Sequence, residues 1–149
     1  MSKSVKKNLK LIGKNQEDLK IISTYMQDSI VTVGDIIFLE KNRIFLMIIN
    51  RFMWENVEKG ISKQIKRIRC AIKFEEVLKV KSKKINQKNK NIHLECLAIK
   101  CNKISNKNYE IIFFFSGNGI ITLISEAIEV VLHDLGEAWN VKHIPKHKI

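Results

Sequence analysis

Three side chains able to bind a metal ion, His93, Cys96 and Cys101, lie within one short segment. Alternating apolar and polar residues predict a strand there, and successive side chains of a strand point to opposite faces. His93 and Cys101 would share one face and Cys96 the other, so the three cannot converge on one ion. The chain also lacks the Cys-x-x-Cys pairs typical of zinc sites. We therefore predict no metal site and interpret the cysteines as small apolar residues.

Nucleophilic or acid–base catalysis requires an oriented histidine beside a nucleophile or a carboxylate. His133 and Asp134 are neighbours in sequence, but on a strand they would point in opposite directions. His143 and His147 have the spacing of two residues on one helix face, and Pro145 between them would break that helix. The sequence therefore predicts no catalytic residue and no cofactor.

The segment NRFMWE, residues 50–55, ends the most apolar part of the chain. On a strand its residues would divide between two faces, Asn50, Phe52 and Trp54 on one and Arg51, Met53 and Glu55 on the other. Arg51 and Glu55 would then lie about 13 Å apart, too far for direct pairing. We interpret the segment as a structural boundary where a strand leaves the core with its aromatic residues facing inward. Trp139 is expected to dock the chain end back onto the core.

Periodicity predicts one helix near the start of the chain. Leu19, Ile22 and Met26 recur at helical spacing within 16–28. Asn15 can cap this helix, and acidic residues follow in its positively polarised first turn. We therefore expect a helix with one buried face.

The rest of the chain shows the period-two pattern of strands. The predicted strands are 9–12, 30–33, 36–39, 44–52, 65–74, 77–84, 92–101, 109–116 and 120–125. Gly117-Asn118-Gly119 predicts a hairpin turn between the last two of these, because glycine and asparagine tolerate positive φ angles. The segment 126–135 fits either a helix or a strand, with a slight preference for a strand.

These elements predict an α+β fold, mainly an antiparallel β barrel or roll with one N-terminal helix. A pleckstrin-homology-like roll is one form that such a sheet can take, and this analogy of shape carries no function. The length and the absence of repeats or linkers predict a single domain over 1–149, with flexible ends at 1–8 and 142–149. The longest uncharged run, 111–125, is too short for a membrane helix.

Several segments of the chain resemble an alphaproteobacterial family of uncharacterised proteins, domain of unknown function 2948. They include YMQDSIVTVGDIIFLEKNRIFLMIINRFMWE, IRCAIKFEEVLKVKSKKI and ISEAIEVVLHDLGEAW, and the likeness extends from about Leu9 to about His147. The NRFxWE and DLGxAW segments are its most specific parts. The resemblance implies a small cytoplasmic bacterial protein and transfers no catalytic residue. Three cysteines without an apolar signal segment also favour the cytoplasm.

The chain carries a formal net charge of +12 and has a sequence pI of about 9.7. Such a charge is typical of proteins that bind nucleic acid or anionic surfaces. However, 23 of the 27 basic residues are Lys, whose codons are rich in A and T. Two interpretations therefore stay open, a solvated face that reflects codon bias and a surface that binds anions, and composition slightly favours the first.

A basic face is nevertheless predicted from the strand pattern of 65–84. If 65–74 and 78–85 form a hairpin with a three-residue turn at 75–77, Phe74 pairs with Leu78 and Ile72 with Val80. The opposite face then gathers six cations, Arg67, Arg69, Lys73, Lys79, Lys81 and Lys83. Directly opposed like charges destabilise a hairpin unless an anion neutralises them. This predicts a surface for phosphate groups, those of an RNA or DNA backbone, bound with little sequence preference.

Three classes of function follow, in order of preference. The first is a non-enzymatic binding module that acts through the basic face or a protein partner. The second is a structural or assembly protein, acting through a protein partner or a homo-oligomer interface. An enzyme ranks last, and no membrane association is expected. The sequence does not define the oligomeric state.

Overall fold

The predicted strand and helix pattern is largely present in the computed structural model, which describes residues 9–53, 66–136 and 139–140. Its elements are β1 (Lys10–Gly13), α1 (Gln16–Met26), β2 (Ile30–Leu39), β3 (Ile44–Phe52), β4 (Lys66–Phe74), β5 (Val77–Lys83), β6 (His93–Lys103), β7 (Tyr109–Phe115), β8 (Ile120–Ser125), β9 (Val130–Asp134) and β10 (Trp139–Asn140). Short 3₁₀ turns cover Glu40–Asn42 and Ser116–Asn118. The predicted flexible ends, 1–8 and 142–149, and residues 54–65 lie outside the described residues.

Helix α1 begins and packs as the sequence predicts. The Asn15 side-chain oxygen accepts a hydrogen bond from the Asp18 backbone N–H at 2.8 Å, which satisfies one donor of the first turn. Leu19, Ile22 and Met26 are buried in the core. Because these three side chains lie on one face, the helix packs that face against the strands, chiefly β6. No helix of the described chain is long and apolar enough to cross a membrane.

The strands form a mostly antiparallel sheet in the order β1-β9-β4-β3-β2-β6-β7-β8-β5, with β10 paired to β4. The prediction of a mainly antiparallel sheet with one helix is confirmed; of the two predicted forms, barrel or roll, the sheet is not closed into a barrel. Strand β2 pairs with β6 only over Ile30–Thr32, while Ile36–Leu39 pair with β3 alone. The sheet therefore divides at β2 into two layers, β1-β9-β4-β3-β2 and β2-β6-β7-β8-β5.

A corner joins the two layers on the side opposite β2. The Glu75 N–H donates to the Glu129 carbonyl, and the Glu126 N–H donates to the Glu76 carbonyl, both at 2.9 Å. These bonds continue the pairing of β4 with β9 into that of β5 with β8. The fully buried Ser125 hydroxyl contacts backbone carbonyls at this corner, the shortest contact being 2.6 Å to Ala127. The result is an open, roll-like α+β fold.

Aromatic side chains fill the space between the layers. Phe45 and Phe74 project from β3 and β4, and Phe113 projects from β7 in the other layer. The Phe113 ring centroid lies 6.0 Å from that of Phe45, with the two rings tilted. It lies 5.5 Å from the ring centroid of Phe74, and this second pair is edge to face. All three are at most 1% exposed. This contact across the layers is the centre of the core.

Three local predictions have definite outcomes. The segments 30–33 and 36–39 form one strand with an irregular register between Val31 and Ile36. The β7–β8 hairpin is confirmed, with positive φ at Gly117 and Asn118. For 126–135, where the sequence fits either a helix or a strand, the structure has a strand over Val130–Asp134.

Candidate functional site

The predicted hairpin between 65–74 and 78–85 is wrong, and with it the predicted grouping of six cations. Strand β4 lies between β3 and β9, whereas β5 pairs with β8 in the other layer. Phe74 lies opposite Phe45 and Val130 rather than Leu78. The chain turns the corner at Glu75-Glu76, where Glu76 has a φ of +61°, so β5 leaves β4 instead of folding back on it.

Arg67 is a structural residue rather than a surface cation. It is 7% exposed, and its guanidinium donates to the backbone carbonyls of Asp28 at 3.1 Å and Asn50 at 3.2 Å. The guanidinium also lies 5.5 Å from the centre of the Phe52 ring. Burial lowers the pKa of Arg67 from its ordinary value, against the opposing effect of the Asp28 and Glu95 carboxylates. Replacing Arg67 would therefore test folding more than binding.

The other two cations of β4 are separated from those of β5. Arg69 is exposed, lying opposite Asn50 on β3. Lys73 lies 3.7 Å from the Glu75 carboxylate, which balances its charge. Neither Arg69 nor Lys73 lies opposite a residue of β5. These two cations therefore do not add to the charged face of β5.

The three lysines of β5 do share one face, as predicted. Lys79, Lys81 and Lys83 are all exposed, and they lie opposite Ile124, Thr122 and Ile120 of β8. Side chains two residues apart on a strand are about 7 Å apart. No carboxylate in the described chain forms an ion pair with any of them. We call Lys79, Lys81 and Lys83 the lysine row.

The lysine row borders the outer face of a four-stranded sheet. From Lys81 the pairing runs through Thr122 and Ile112 to Lys100 on β6. Three strand spacings separate Lys81 from Lys100, about 14 Å. Phe114 lies on this outer face, 5.7 Å from the Lys100 ammonium. Sequence reasoning missed Lys100, because its place opposite the row depends on the pairing of four strands.

Two charged side chains, Arg51 and Asp134, lie in the core. Arg51 is fully buried, and Asp134 is 2% exposed. The Arg51 Nε and Nη2 donate to the two Asp134 carboxylate oxygens at 2.8 and 2.9 Å. The prediction that Arg51 lies on the face opposite the core is wrong, because Arg51 continues the buried alternation of β3. The same alternation of residues along β3 could have predicted that Arg51 faces the core.

The Arg51–Asp134 pair ties four elements together at one end of the roll. Arg51 lies on β3 and Asp134 on β9, and the Tyr25 ring of α1 lies 5.6 Å from the guanidinium. The Asp134 carboxylate also accepts from the Leu9 backbone N–H, just before β1, at 3.0 Å. The pair thus joins the NRFMWE and DLGEAW segments. Trp54 and Glu55 lie outside the described residues, and of Trp139 the structure describes the backbone, which pairs with Arg67.

The cysteines have the environment of core residues rather than nucleophiles. All three are free thiols, with Cys70 and Cys96 buried and Cys101 half-buried. Burial raises the pKa of Cys70, and the Asp134 carboxylate raises it further. Burial likewise raises the pKa of Cys96 to about 12. Because the thiolate is the reactive form, these two thiols are poor nucleophiles near neutral pH.

The residues considered for a metal ion do not converge. In the part of the chain that the structure describes, no three His, Cys, Asp or Glu side chains form a group that could hold one. His93 is exposed, and its ring contacts the Thr32 hydroxyl at 2.9 Å. Cys96 points into the core. His143 and His147 lie outside the described residues.

Comparison with known proteins gives a family and no further relative. Neither the curated proteins nor the solved structures contain a match to this chain. The alphaproteobacterial source implied by the resemblance stays a prediction. Residues 9–147 match the model of the family described as Protein of unknown function (DUF2948), and the chain therefore belongs to that family.

Proposed function

We propose that this protein is a non-enzymatic, cytoplasmic binding module that contacts nucleic-acid phosphate groups through the lysine row. The observation that carries the proposal is the arrangement of Lys79, Lys81 and Lys83, three exposed cations on one face of β5. Lysine ammonium groups bind phosphate as point charges and require no fixed side-chain orientation. Such a row matches a linear polyanion better than it matches a single small anion.

The charges around the row support an anionic partner. Like charges at alternate positions repel one another, and no carboxylate pairs with them in the described chain. Lys100 adds a fourth cation on the far side of the same sheet face, while Glu110 on β7 is the acidic residue on that face between them. A bound phosphate backbone would neutralise the row and release its own counterions.

The contacts of the row predict binding with little sequence preference. Lysines that contact phosphates position a nucleic acid without identifying its bases. The row itself contains no aromatic or amide side chain between its cations, because the two intervening residues are Val80 and Ser82. Affinity should therefore depend on salt far more than on base composition.

The proposal is tested by changing Lys79, Lys81 and Lys83 together to Gln. All three are exposed, so the fold should be retained. For a labelled mixed-sequence oligonucleotide, the slope of log Kd against log salt concentration should become less steep by roughly 2 for a single strand, or nearly 3 for a duplex. Fluorescence anisotropy across a salt series measures this slope.

A matched variant separates local contacts from overall charge. Lys10, Lys14 and Lys20 are exposed in and around β1 and α1, away from β5. Changing these three to Gln removes the same net charge. It should change the slope by less than the loss of one phosphate contact would, which is about 0.7 for a single strand and about 0.9 for a duplex. Absence of binding by the unaltered protein at low salt, or equal effects of the two triple variants, would contradict the proposal.

A second candidate, assembly through a protein partner or another copy, is favoured by exposed apolar residues on the other layer. Ile37 and Leu39 of β2 are 41% and 44% exposed, and they lie opposite Leu46 and Ile44 of β3. If this strip is a homo-oligomer interface, changing Ile37 and Leu39 to Lys should convert a dimer into a monomer. Light scattering coupled to size exclusion measures the change. A wild-type protein that is monomeric at high concentration excludes the homo-oligomer.

A further inference from the structure

A cavity of about 310 Å³ opens where the two layers separate. Beyond Thr32, β2 no longer pairs with β6, and in the described chain β5 pairs with β8 alone. The gap between β2 and β5 therefore leads into the interior of the roll. Concave sites at the mouth of a barrel-like sheet are common places for small ligands.

The walls of the cavity are apolar, whereas one end is polar. Its apolar lining comes from β2, β3, β5, β8 and the loop after β5, namely Val33, Ile36, Phe38, Phe45, Val80, Ile85 and Ile121. The polar lining comes from the end of β5 and the loop after it, as Ser82, Gln87 and Lys90. No Asp or Glu is among the lining residues. The cavity is thus amphipathic, with positive charge at one end.

The polar end offers hydrogen-bond donors. The Gln87 side-chain N–H donates to the Ser82 hydroxyl oxygen, which leaves the hydroxyl proton free to donate elsewhere. The Lys90 ammonium has three donors and no acceptor, and no carboxylate in the described chain pairs with it. A ligand group held there must accept hydrogen bonds and is favoured if it is negatively charged.

The position of Lys90 is fixed by its backbone. The Gly34 N–H of β2 donates to the Lys90 carbonyl at 2.9 Å, and the Val33 N–H donates to the Ile92 carbonyl at 2.8 Å. A Cβ atom at Gly34 would lie 3.1 Å from the Lys90 carbonyl oxygen, so a side chain there would press on this loop. Because Gly34 has no side chain, β2 lies close to the Lys90 backbone, and this contact holds Lys90 at the mouth of the cavity.

From this geometry we propose that the cavity binds a small aliphatic carboxylate, with its hydrocarbon chain against Phe38, Phe45 and Ile121 and its carboxylate at Lys90 and Ser82. With about 30 Å³ per water molecule in the liquid, the cavity has the volume of roughly ten waters. A ligand of roughly ten heavy atoms therefore fits, which corresponds to a medium-chain fatty acid. The proposal is independent of nucleic-acid binding, because the cavity opens inside the roll and the lysine row faces outward.

The test is a titration with n-alkanoates of graded length, from butanoate to dodecanoate, below their micelle concentrations. Backbone amide NMR shifts should change at Val33, Val80 and Ile121, and affinity should be highest for chains of roughly eight carbons. Lys90→Gln should weaken octanoate binding about tenfold or more, because a charge-assisted hydrogen bond is lost. The affinity for 1-octanol, which carries no charge, should change little.

Two further variants serve as controls. Lys88→Gln removes the same charge from the same loop but from a residue that does not line the cavity, and it should leave octanoate binding unchanged. Val80→Phe introduces a larger side chain from a half-exposed position and should abolish binding of both octanoate and octanol. No binding by any alkanoate, affinity that rises steadily with chain length, or equal effects of the Lys90 and Lys88 variants would overturn the proposal.

Discussion

Replacing Asp134 with Ala is expected to lower the free energy of unfolding by about 3–5 kcal/mol. The variant removes the carboxylate that accepts hydrogen bonds from the Arg51 Nε and Nη2 at 2.8 and 2.9 Å. The guanidinium itself is fully buried. A buried guanidinium that loses one carboxylate partner is destabilised far more than an exposed one, because water does not reach the site to replace that carboxylate. The Leu9 N–H also loses its acceptor. Urea denaturation followed by circular dichroism measures the loss.

Two comparisons identify burial as the cause. Glu126→Ala breaks the Arg43–Glu126 ion pair, which has a similar distance of 2.7 Å but side chains 51% and 46% exposed. That loss should be below about 1 kcal/mol. The double variant Arg51→Met with Asp134→Leu replaces both charges by apolar groups and should recover part of the stability lost by Asp134→Ala, while the Leu9 N–H still lacks its acceptor. A loss no larger for Asp134→Ala than for Glu126→Ala would show that the pair contributes little.

Replacing Phe113 with Ala is expected to destabilise the protein by about 3–5 kcal/mol. Its ring contacts those of Phe45 and Phe74 across the two layers, and all three are buried. Truncation would remove the transfer free energy of the ring and leave a cavity that strands fixed by their hydrogen bonds cannot fill. The same denaturation experiment measures the change.

Phe114 provides a matched control from the same strand. It is half-exposed on the outer face of the sheet, so Phe114→Ala removes the same atoms without opening the core. Its cost should be well below that of Phe113→Ala, because little apolar surface returns to water. Equal losses for the two variants would mean that Phe113 does not join the layers as described.

In the two segments that carry the family resemblance, Arg51 and Asp134 make contacts that hold the fold together. Arg51 of NRFMWE and Asp134 of DLGEAW form one buried ion pair, and the backbone of Trp139 pairs with β4. These contacts hold together β1, β3, β9 and the helix, through Tyr25. We therefore place the two proposed binding sites on the outer lysine row and in the cavity rather than at this buried ion pair.

Features that depend on neighbouring residues could be predicted from the sequence. The Asn15 cap and the buried face of α1 follow from helical spacing, and the strands follow from period-two alternation. The common face of Lys79, Lys81 and Lys83 was predictable for the same reason, because side chains alternate along a strand whatever its partner is. The β7–β8 hairpin was predictable because its turn contains Gly117 and Asn118, which tolerate positive φ.

The tertiary structure decided which strands pair and which charges are buried. Phe74 and Val77 belong to different layers because the chain turns a corner between them, where it pairs with the segment between β8 and β9. Arg51 meets a partner 83 residues away. Strand pairing and ion pairing of this kind depend on which surfaces bury the most apolar area together, and local periodicity carries no information about that choice. The sequence by itself therefore determined the elements and their faces, whereas the packed fold alone brought Lys100 opposite the lysine row, Asp134 to Arg51 and Lys90 to the mouth of the cavity.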